Sequence, residues 1–354
     1  MRFRLAAASV AAALLLTGCT PDKNSGDGGG TVIVAMGSDP SSLFPLLVME
    51  ETGKAVTDVV FDKLAQIDSK LSATGDAGFT PRLAKSWDWS PDSMSIAFHL
   101  DPAARFHDGT PVTAADVKYT FTITKDTLLG SPVTALIQNI DSVTIVDSLT
   151  PVFWYHRRSP TQFYDAVYQL APVPEHVYGK VPVAQLRTSE VTRAPVGTGR
   201  FRFVKWEPGV RVELVADTAN FRGRAMLDRV IFMLGQNPTS AAAALLAGQA
   251  DFYSSFPIDQ AESLDSTSLI RALPYPQNGY GYLGMNVHDR RTPARPHPIL
   301  GDIAVRRALA MSLDRRSMLT NVFKTGGRLA YGPFPTDAEL SDTTIQGPPY
   351  DTTA

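Results

Sequence analysis

The chain has 354 residues, of which 44% are hydrophobic and 19% are charged, a composition typical of a globular protein long enough for two or more domains. Its formal net charge of −2 offers no basic excess that would attract nucleic acid or anionic lipid. A single cysteine excludes an internal disulfide framework.

The first predicted element is a secretory signal peptide over residues 1–18. Arg2 and Arg4 precede an apolar run from Leu5 to Leu16, which has the order of charged and apolar regions found in such signals. The run is too short to span a bilayer, which takes about 20 apolar residues. A buried N-terminal helix is the alternative. Removal of the signal leaves 31 basic and 35 acidic residues, a net charge of −4.

The only cysteine lies in Leu16-Thr17-Gly18-Cys19, which resembles the lipobox of bacterial lipoproteins. The resemblance implies cleavage before Cys19 and a diacylglycerol group on its thiol. It therefore implies an extracytoplasmic protein, lipid-anchored to a bacterial membrane. An unmodified thiol in a discarded peptide is the alternative. Residues 19–30 are Gly-rich and polar, and are predicted to be a flexible tether between the lipidated cysteine and the folded body.

Strands and helices alternate along the body, which predicts an α/β or mixed α+β fold. The predicted strands are 31–36, 94–100, 142–146, 152–155, 229–234, 269–275 and 280–287, with a hairpin over 199–215 and a short extended segment at 251–255. Helices are predicted over 51–66, 239–247 and 303–313. A further helix opens with the capping box Thr113 to Asp116 and ends near Lys125, and another runs from Arg315 to Phe323 and is capped by Asp314. Trp154 and Tyr155 are predicted to pack in the core.

Five stretches, in a constant order, carry a resemblance. They are Pro81–Asp92 followed by the strand Ile96–Leu100, Phe106–Val117, Pro195–Gly209, Ala244–Asp251 and Val305–Arg315. In this order, and behind a lipobox, the chain resembles the family 5 extracellular solute-binding proteins, the peptide- and nickel-binding components of ABC importers. The resemblance covers about residues 31–330.

The resemblance implies a two-lobed fold like that of periplasmic binding proteins, with a cleft between the lobes and an inserted subdomain. By that pattern we expect lobe I to comprise residues 31–60 and 190–268, with residues 61–189 as the insert. Residues 271–354 are then the start of lobe II. Because members of the family are usually longer, the second lobe is expected to be incomplete and the chain truncated.

The implied function is capture of oligopeptides or dipeptides in the cleft and delivery to an ABC permease, by a monomer without a cofactor. The same fold could instead bind a nickel chelate, haem, a sugar or an opine, because one fold serves many solutes. A sensor or adhesin that uses the fold to bind another protein is a further alternative.

Two stretches are candidates for ligand contact. In the family the loop after the first strand often lines the cleft, which here indicates Ser38 and Asp39. Asn278, Tyr280 and Tyr282 follow the predicted crossing between lobes, and tyrosine rings with polar tips suit a wet pocket. A plain strand-exit turn and ordinary core packing are the respective alternatives.

The sequence gives little support for catalysis or for metal binding. There is no Gly-x-Ser-x-Gly, no His-Glu-x-x-His and no cysteine in the mature body beyond Cys19, so a secreted enzyme is not favoured. The six histidines are scattered. His288 and His297 are the closest approach to a metal-binding pair, and no metal site is predicted.

Overall fold

The computed structural model describes the chain over residues 29–70, 72–257, 260–261, 270–273, 275, 279–323, 327–332, 342, 344–345 and 347–353. The predicted signal peptide, Cys19 and Asn278 lie outside the described residues.

The first sheet has four strands in the order β1-β10-β9-β8. Its strands are β1 (Thr31–Met36), β8 (Phe201–Glu207), β9 (Arg211–Ala216) and β10 (Arg229–Leu234). β1 and β10 run parallel, and the other neighbours are antiparallel. The predicted hairpin is confirmed. It turns at Gly209, whose φ of +71° suits a residue without a Cβ atom.

The second sheet is fully antiparallel, in the order β4-β5-β7-β6. Its strands are β4 (Ala84–Trp89), β5 (Ser95–Leu100), β6 (Ile140–Asp147) and β7 (Thr150–Tyr155), and a separate two-stranded ladder joins β2 (Ala65–Ile67) to β3 (Phe79–Pro81). Tyr155 is buried as predicted, but Trp154 is 43% exposed. The prediction for Trp154 is wrong because successive side chains of a strand point to opposite faces.

Some of the helices in the described part of the chain begin at a side-chain cap and others do not. These helices are α1 (Glu51–Val60), α2 (Ala114–Lys125), α3 (Gln162–Val167), α4 (Glu175–Tyr178), α5 (Val183–Leu186), α6 (Pro238–Leu246), α7 (Ile303–Met311) and α8 (Arg315–Met318). The capping box predicted for α2 is confirmed, since the amide and hydroxyl of Thr113 both donate to Asp116 Oδ2.

The prediction that α1 continues to Gln66 is wrong. The helix ends at Val60, and Phe61 has extended backbone angles. Leu64 continues the apolar spacing of the helix and is fully buried, but it reaches the core from the connection that leads into β2. A short apolar spacing fits both a helix face and a buried turn, so the pattern alone places the boundary poorly.

One large hydrophobic cluster joins the two sheets and the helices between them. Its centre is aromatic: the ring of Phe163 lies 4.8 Å from those of Phe79 and Trp87, and 5.8 Å from that of Phe98. A smaller cluster packs α6 against β1, through Ala35, Ala241, Ala242, Leu245, Ala250 and Tyr253. Side chains from sequence positions far apart therefore share one interior.

The chain leaves the first sheet after α1 and returns to it at β8 through a close backbone junction, formed by residues 59–62 and 197–200. Gly199 N donates to Val60 O at 2.8 Å. A Cβ atom at Gly197 would lie 2.0 Å from Val60 O, and one at Gly199 would lie 2.2 Å from Val59 O. Glycine is required at both positions because the two chain segments touch through their backbones.

His107 holds the returning segment from the opposite side. Gly197 N donates to its Nδ1 at 3.2 Å, and its Nε2 bonds Gly199 O at 2.8 Å, which requires the proton on Nε2. Burial lowers the pKa of this imidazole, against the opposing effect of the Gly199 carbonyl. The Phe-His-Asp-Gly stretch of the sequence thus has a structural role, as expected from its turn composition.

Beyond residue 257 the described residues are all exposed or half-buried. The predicted strand 280–287 is wrong, because its residues are described and form no strand. The described residues of the predicted strand 269–275 are also irregular. None of the helices in the described part of the chain has the length and apolarity needed to span a bilayer.

Candidate functional site

Three chain segments end at the same edge of the first sheet. β1 and β10 run parallel, with Met36 opposite Leu234, so their carboxyl ends meet. On the other side of β1, Phe252 forms a parallel bridge with Val34, and Ala35 N donates to Phe252 O at 2.8 Å. The loops that follow, residues 37–42, 235–237 and 254–256, form what we name the carboxyl edge. Ligands of open α/β sheets bind outside the carboxyl ends of the strands.

The first two loops of this edge touch through backbone. Gly235 N donates to Met36 O at 2.7 Å, and a Cβ atom at Gly235 would lie 2.8 Å from that oxygen. A Cβ atom at Gly37 would lie 3.4 Å from Pro238, the first residue of α6, so the loop passes close to the start of that helix. The edge is therefore shaped by main-chain atoms, which present hydrogen-bonding groups independently of side-chain conformation.

Asp39 fixes the first loop to the hairpin of the same sheet. Its Oδ1 accepts from Trp206 Nε1 at 2.9 Å, and its Oδ2 accepts from Gly209 N at 2.5 Å. The guanidinium of Arg193 lies over the ring of Trp206, 3.9 Å from its centroid. Both carboxylate oxygens of Asp39 thus have protein partners, and the side chain holds the loop in place.

Ser38 is exposed at the tip of this loop. Its hydroxyl shares a hydrogen bond of 3.0 Å with the hydroxyl of Thr52, which is 2% exposed in the first turn of α1. The contact brings the loop to the amino-terminal end of α1, where backbone N–H groups have no partner within the helix.

Glu51, in the first turn of α1, contacts this edge, and the sequence analysis did not predict it. One of its carboxylate oxygens, Oε1, accepts from the hydroxyls of Ser254 and Ser255, both at 2.6 Å. Burial, with the charge of Glu51 nearby, raises the pKa of Tyr253. An acidic residue in the first turn of a helix was the only local signal, and it does not reveal a contact across about 200 positions.

The aromatic candidates lie elsewhere in the chain. Tyr280 and Tyr282 are 41% and 80% exposed, and their ring centroids are 5.7 Å apart. Among the described residues, no hydrogen bond or ring contact joins them to Ser38 or Asp39. The structure thus assembles the candidates from the first loop and leaves these two tyrosines as a separate exposed pair.

Within the described residues, no group of three or more His, Cys, Asp or Glu side chains is arranged to hold a metal ion. His297 has a local partner instead, because its Nδ1 accepts from the amides of Ile299 and Leu300 at 3.1 and 2.9 Å. In the pair His288 and His297, the Nδ1 of His297 is therefore already engaged by main-chain amides.

Two open depressions lie away from the carboxyl edge, one by the second sheet and the other between the start of α2 and α4. One, of about 430 Å³, is lined by residues that include Trp89, Arg158 and Phe163. The other, of about 390 Å³, is lined by residues that include Asp116 and His176. Asp116 has a structural role here, since its Oδ1 accepts from Glu175 N while its Oδ2 caps α2.

Comparison with known proteins identifies the family. The sequence model for bacterial extracellular solute-binding proteins, family 5 (Middle), matches residues 78–354. The chain belongs to this family. The resemblance noted in the sequence is thereby confirmed.

Several relatives of this family 5 chain are named for peptide binding. The oligopeptide-binding protein AppA of Bacillus subtilis is 25% identical over 334 residues, which cover 91% of the chain. A putative ABC transporter peptide-binding protein of Brucella ovis is 29% identical over 265 residues, or 74% of the chain. The solved structure of Bacillus subtilis AppA with a nonapeptide matches 92% of the chain at a TM-score of 0.81 and 23% identity.

The solved structure confirms the predicted class, a mixed α/β fold like that of periplasmic binding proteins. The family 5 chain spans 58% of the length of AppA, 47% of that of the Brucella ovis relative and 62% of the solved AppA chain.

Proposed function

We propose that this protein is the substrate-binding component of an ABC importer and that it captures oligopeptides or dipeptides. The observation that carries the proposal is the family match over residues 78–354, together with relatives that are named as oligopeptide- and peptide-binding proteins. Capture in a cleft between two lobes, followed by closure, gives a ligand-bound shape that a permease can distinguish from the free form.

The carboxyl edge supports this proposal by its chemistry. Main-chain groups of the loops after β1 and β10 suit an extended peptide, which binds through strand-like hydrogen bonds with little dependence on its sequence. Ser38 and Asp39 belong to the first of these loops, and Tyr280 and Tyr282 are the proposed contributions from the far side, with Asn278. The carboxylates of Asp39 and Glu51 give the edge a negative character that favours a peptide amino group.

The proposed organisation follows the family pattern. Residues 31–60 and 190–268 form lobe I, residues 61–189 the insert and residues 271–354 the start of lobe II. The two sheets of the fold, one built from residues 31–36 and 201–234 and the other from residues 84–155, agree with this division. The protein is proposed to be a monomeric binding protein without enzymatic activity or a cofactor.

The proposed location is outside the cytoplasm, on the surface of a bacterial membrane. Cleavage after residue 18 and acylation of Cys19 would anchor the chain, with residues 20–30 as the tether. Two or more acyl chains hold a protein on a bilayer stably where one does not. Metabolic labelling with a fatty-acid analogue should mark the wild type and not Cys19→Ala; equal labelling of both would contradict the anchor.

The peptide proposal is tested by thermal unfolding of the purified protein with mixed short peptides. Since ligand binds only the folded form, peptides are expected to raise the melting temperature. Ser38→Trp, which fills the carboxyl edge, should abolish the rise. Ser86→Trp, on an exposed position of the second sheet, should retain it. No rise with peptides but a rise with a nickel chelate, haem, a sugar or an opine would reject peptides as the ligand.

A further inference from the structure

A cluster of three arginines lies at the backbone junction, to which one of them belongs, and has no part in the proposed peptide site. Its centre is Asp62, which lies two residues after the end of α1 and is 8% exposed. Arg222 binds this carboxylate with both arms, Nη2 to Oδ1 at 2.6 Å and Nε to Oδ2 at 3.2 Å. This bidentate pair satisfies Asp62, and Thr198 Oγ1 accepts from the amide of the same residue.

Arg200 adds a second guanidinium that Asp62 does not hydrogen-bond. Its Nη2 donates to the main-chain oxygen of Arg222 at 2.9 Å. Its Nε is buried and has no hydrogen-bond partner among the described residues. Buried donors are nearly always paired, so the unpaired Nε of Arg200 indicates that the cluster has more donors than acceptors.

Arg82 adds a third guanidinium, from the segment between β3 and β4. Arg82 N donates to Leu64 O at 3.2 Å and Leu83 N to Lys63 O at 3.1 Å, which aligns this segment with the residues after Asp62. The side chain of Arg82 is half-buried, and no hydrogen bond from its guanidinium to a described residue is formed.

The charges around Arg82 do not balance. Arg222 and Arg200 repel its guanidinium and Asp62 attracts it. Burial, followed by the charge of Arg222, lowers the pKa of Arg82. Three guanidinium groups around one carboxylate leave an excess of two positive charges, beside a carboxylate that is nearly buried.

We propose that Arg82, with the field of Arg200 and Arg222, forms a binding site for a small oxyanion of the phosphate or carboxylate class. A guanidinium presents parallel N–H donors that match two oxygens of such an anion, and the fork of Arg82 is available for this bond. A bound anion would also reduce the repulsion among the three arginines. The site is separate from the carboxyl edge, since none of its residues belongs to the loops that form that edge.

The test compares phosphate, acetate and chloride at equal ionic strength and pH, with the full chain. Isothermal titration and thermal unfolding should give saturable phosphate binding to the wild type. Arg82→Gln should weaken that binding about tenfold, the usual effect of losing a hydrogen bond from a charged group. In chloride this variant should be at least as stable as the wild type, because it removes a repelled charge without removing a hydrogen bond. Acetate binding in place of phosphate would assign the site to a carboxylate.

Two further variants separate this site from general salt effects, since phosphate stabilises most proteins by exclusion from their surface. Arg157→Gln removes an exposed arginine near the end of β7 and should leave phosphate binding unchanged. Asp62→Asn removes the competing carboxylate and should tighten phosphate binding, although it lowers stability in chloride. The proposal would be overturned if Arg82→Gln responded to phosphate and to acetate as the wild type does. It would also be overturned if the folded wild type showed no saturable binding.

Discussion

Residues 29–257 and residues 279–353 form helices by the same local rules but differ in what those helices bury. In the first region, α2 buries Val117, Thr120 and Phe121 against the core. In the second, α7 buries no residue, and Ile303 and Leu309 are 58% and 41% exposed. The buried residues of the described chain all precede residue 257.

Both regions use carboxylate caps. Asp116 caps α2, while Asp302 accepts from Ala304 N and Asp314 accepts from Ser317 N at the starts of α7 and α8. A cap satisfies one or two backbone groups, but isolated helices this short are marginal in water. The comparison teaches that capping selects where a helix starts, whereas burial determines how much the helix contributes to stability.

The largest expected effect is truncation of the aromatic centre of the first region. Phe163→Ala removes a ring that is fully buried among four aromatic neighbours, and should lower the free energy of unfolding by about 3–5 kcal/mol. Phe323→Ala, at a position 52% exposed in the second region, should change it by less than about 0.5 kcal/mol. Urea denaturation followed by circular dichroism measures both. Similar losses in the two variants would contradict the comparison.

The second-largest effect is expected where a new side chain would clash with a neighbouring backbone segment. Gly199→Ala places a methyl group against Val59 O and should cost about 3 kcal/mol, since neither backbone segment of the junction can move away easily. Gly281→Ala meets no atom within 4 Å and should be nearly neutral. Thermal unfolding of the two variants and the wild type gives the difference. A neutral Gly199→Ala would mean that the junction is looser than its geometry indicates.

The third effect separates the two kinds of cap. Asp116→Ala leaves the amides of Thr113 and Glu175 without their acceptor in a buried place, and should lower global stability by about 2 kcal/mol. Asp314→Ala should raise amide hydrogen exchange in α8 alone and leave the global unfolding transition unchanged. A global loss in the second variant would show that α8 is coupled to the core.

The smallest effect is a pH dependence from His107. Burial lowers the pKa of its imidazole in the folded protein below the value of about 6.5 in the unfolded chain. The unfolded state therefore binds more protons near this pH, and the contribution of His107 to stability is complete above about pH 6.5 and is lost as the pH falls toward the folded pKa.

The measurement is the free energy of unfolding between pH 5 and 8 for the wild type and His107→Gln, which keeps a donor and an acceptor. The variant should be less sensitive to acid. Asp165 acts with the opposite sign, because burial raises its pKa to about 6: its contribution to stability is complete below the pKa of the unfolded chain and is lost as the pH rises through about 6. Asp165→Asn, made both in the wild type and in His107→Gln, is therefore the control. It should leave unchanged the difference in unfolding free energy between these two proteins at acid pH.

Sequence patterns predicted much of the first region. The β-branched run of β1, the strand β10 and the hairpin β8-β9 were located to within a residue or two, because strand periodicity and turn residues are local properties. The capping box of α2 was read directly from Thr113 and Asp116. The end of α1 and the exposure of Trp154 were missed, since both depend on which face packs against a neighbour.

The candidate site was only partly predictable. The loop with Ser38 and Asp39 follows from family resemblance, but the hydrogen bonds of Asp39 to Trp206 and Gly209 join positions about 170 residues apart. Glu51 and its two serine partners gave no recognisable spacing. Contacts of this kind depend on the parallel pairing of β1 with β10, which brings distant loops to one edge.

The sequence by itself determined the alternation of strands and helices, the starts of α1, α2, α6, α7 and α8, and the family, because propensity, capping and motif order are properties of neighbouring residues. Only the tertiary structure decided which glycines make close backbone contacts, which carboxylates hold loops in place, and that three arginines surround one aspartate. Those features arise where segments far apart in the chain meet, and no local pattern encodes the distance between them.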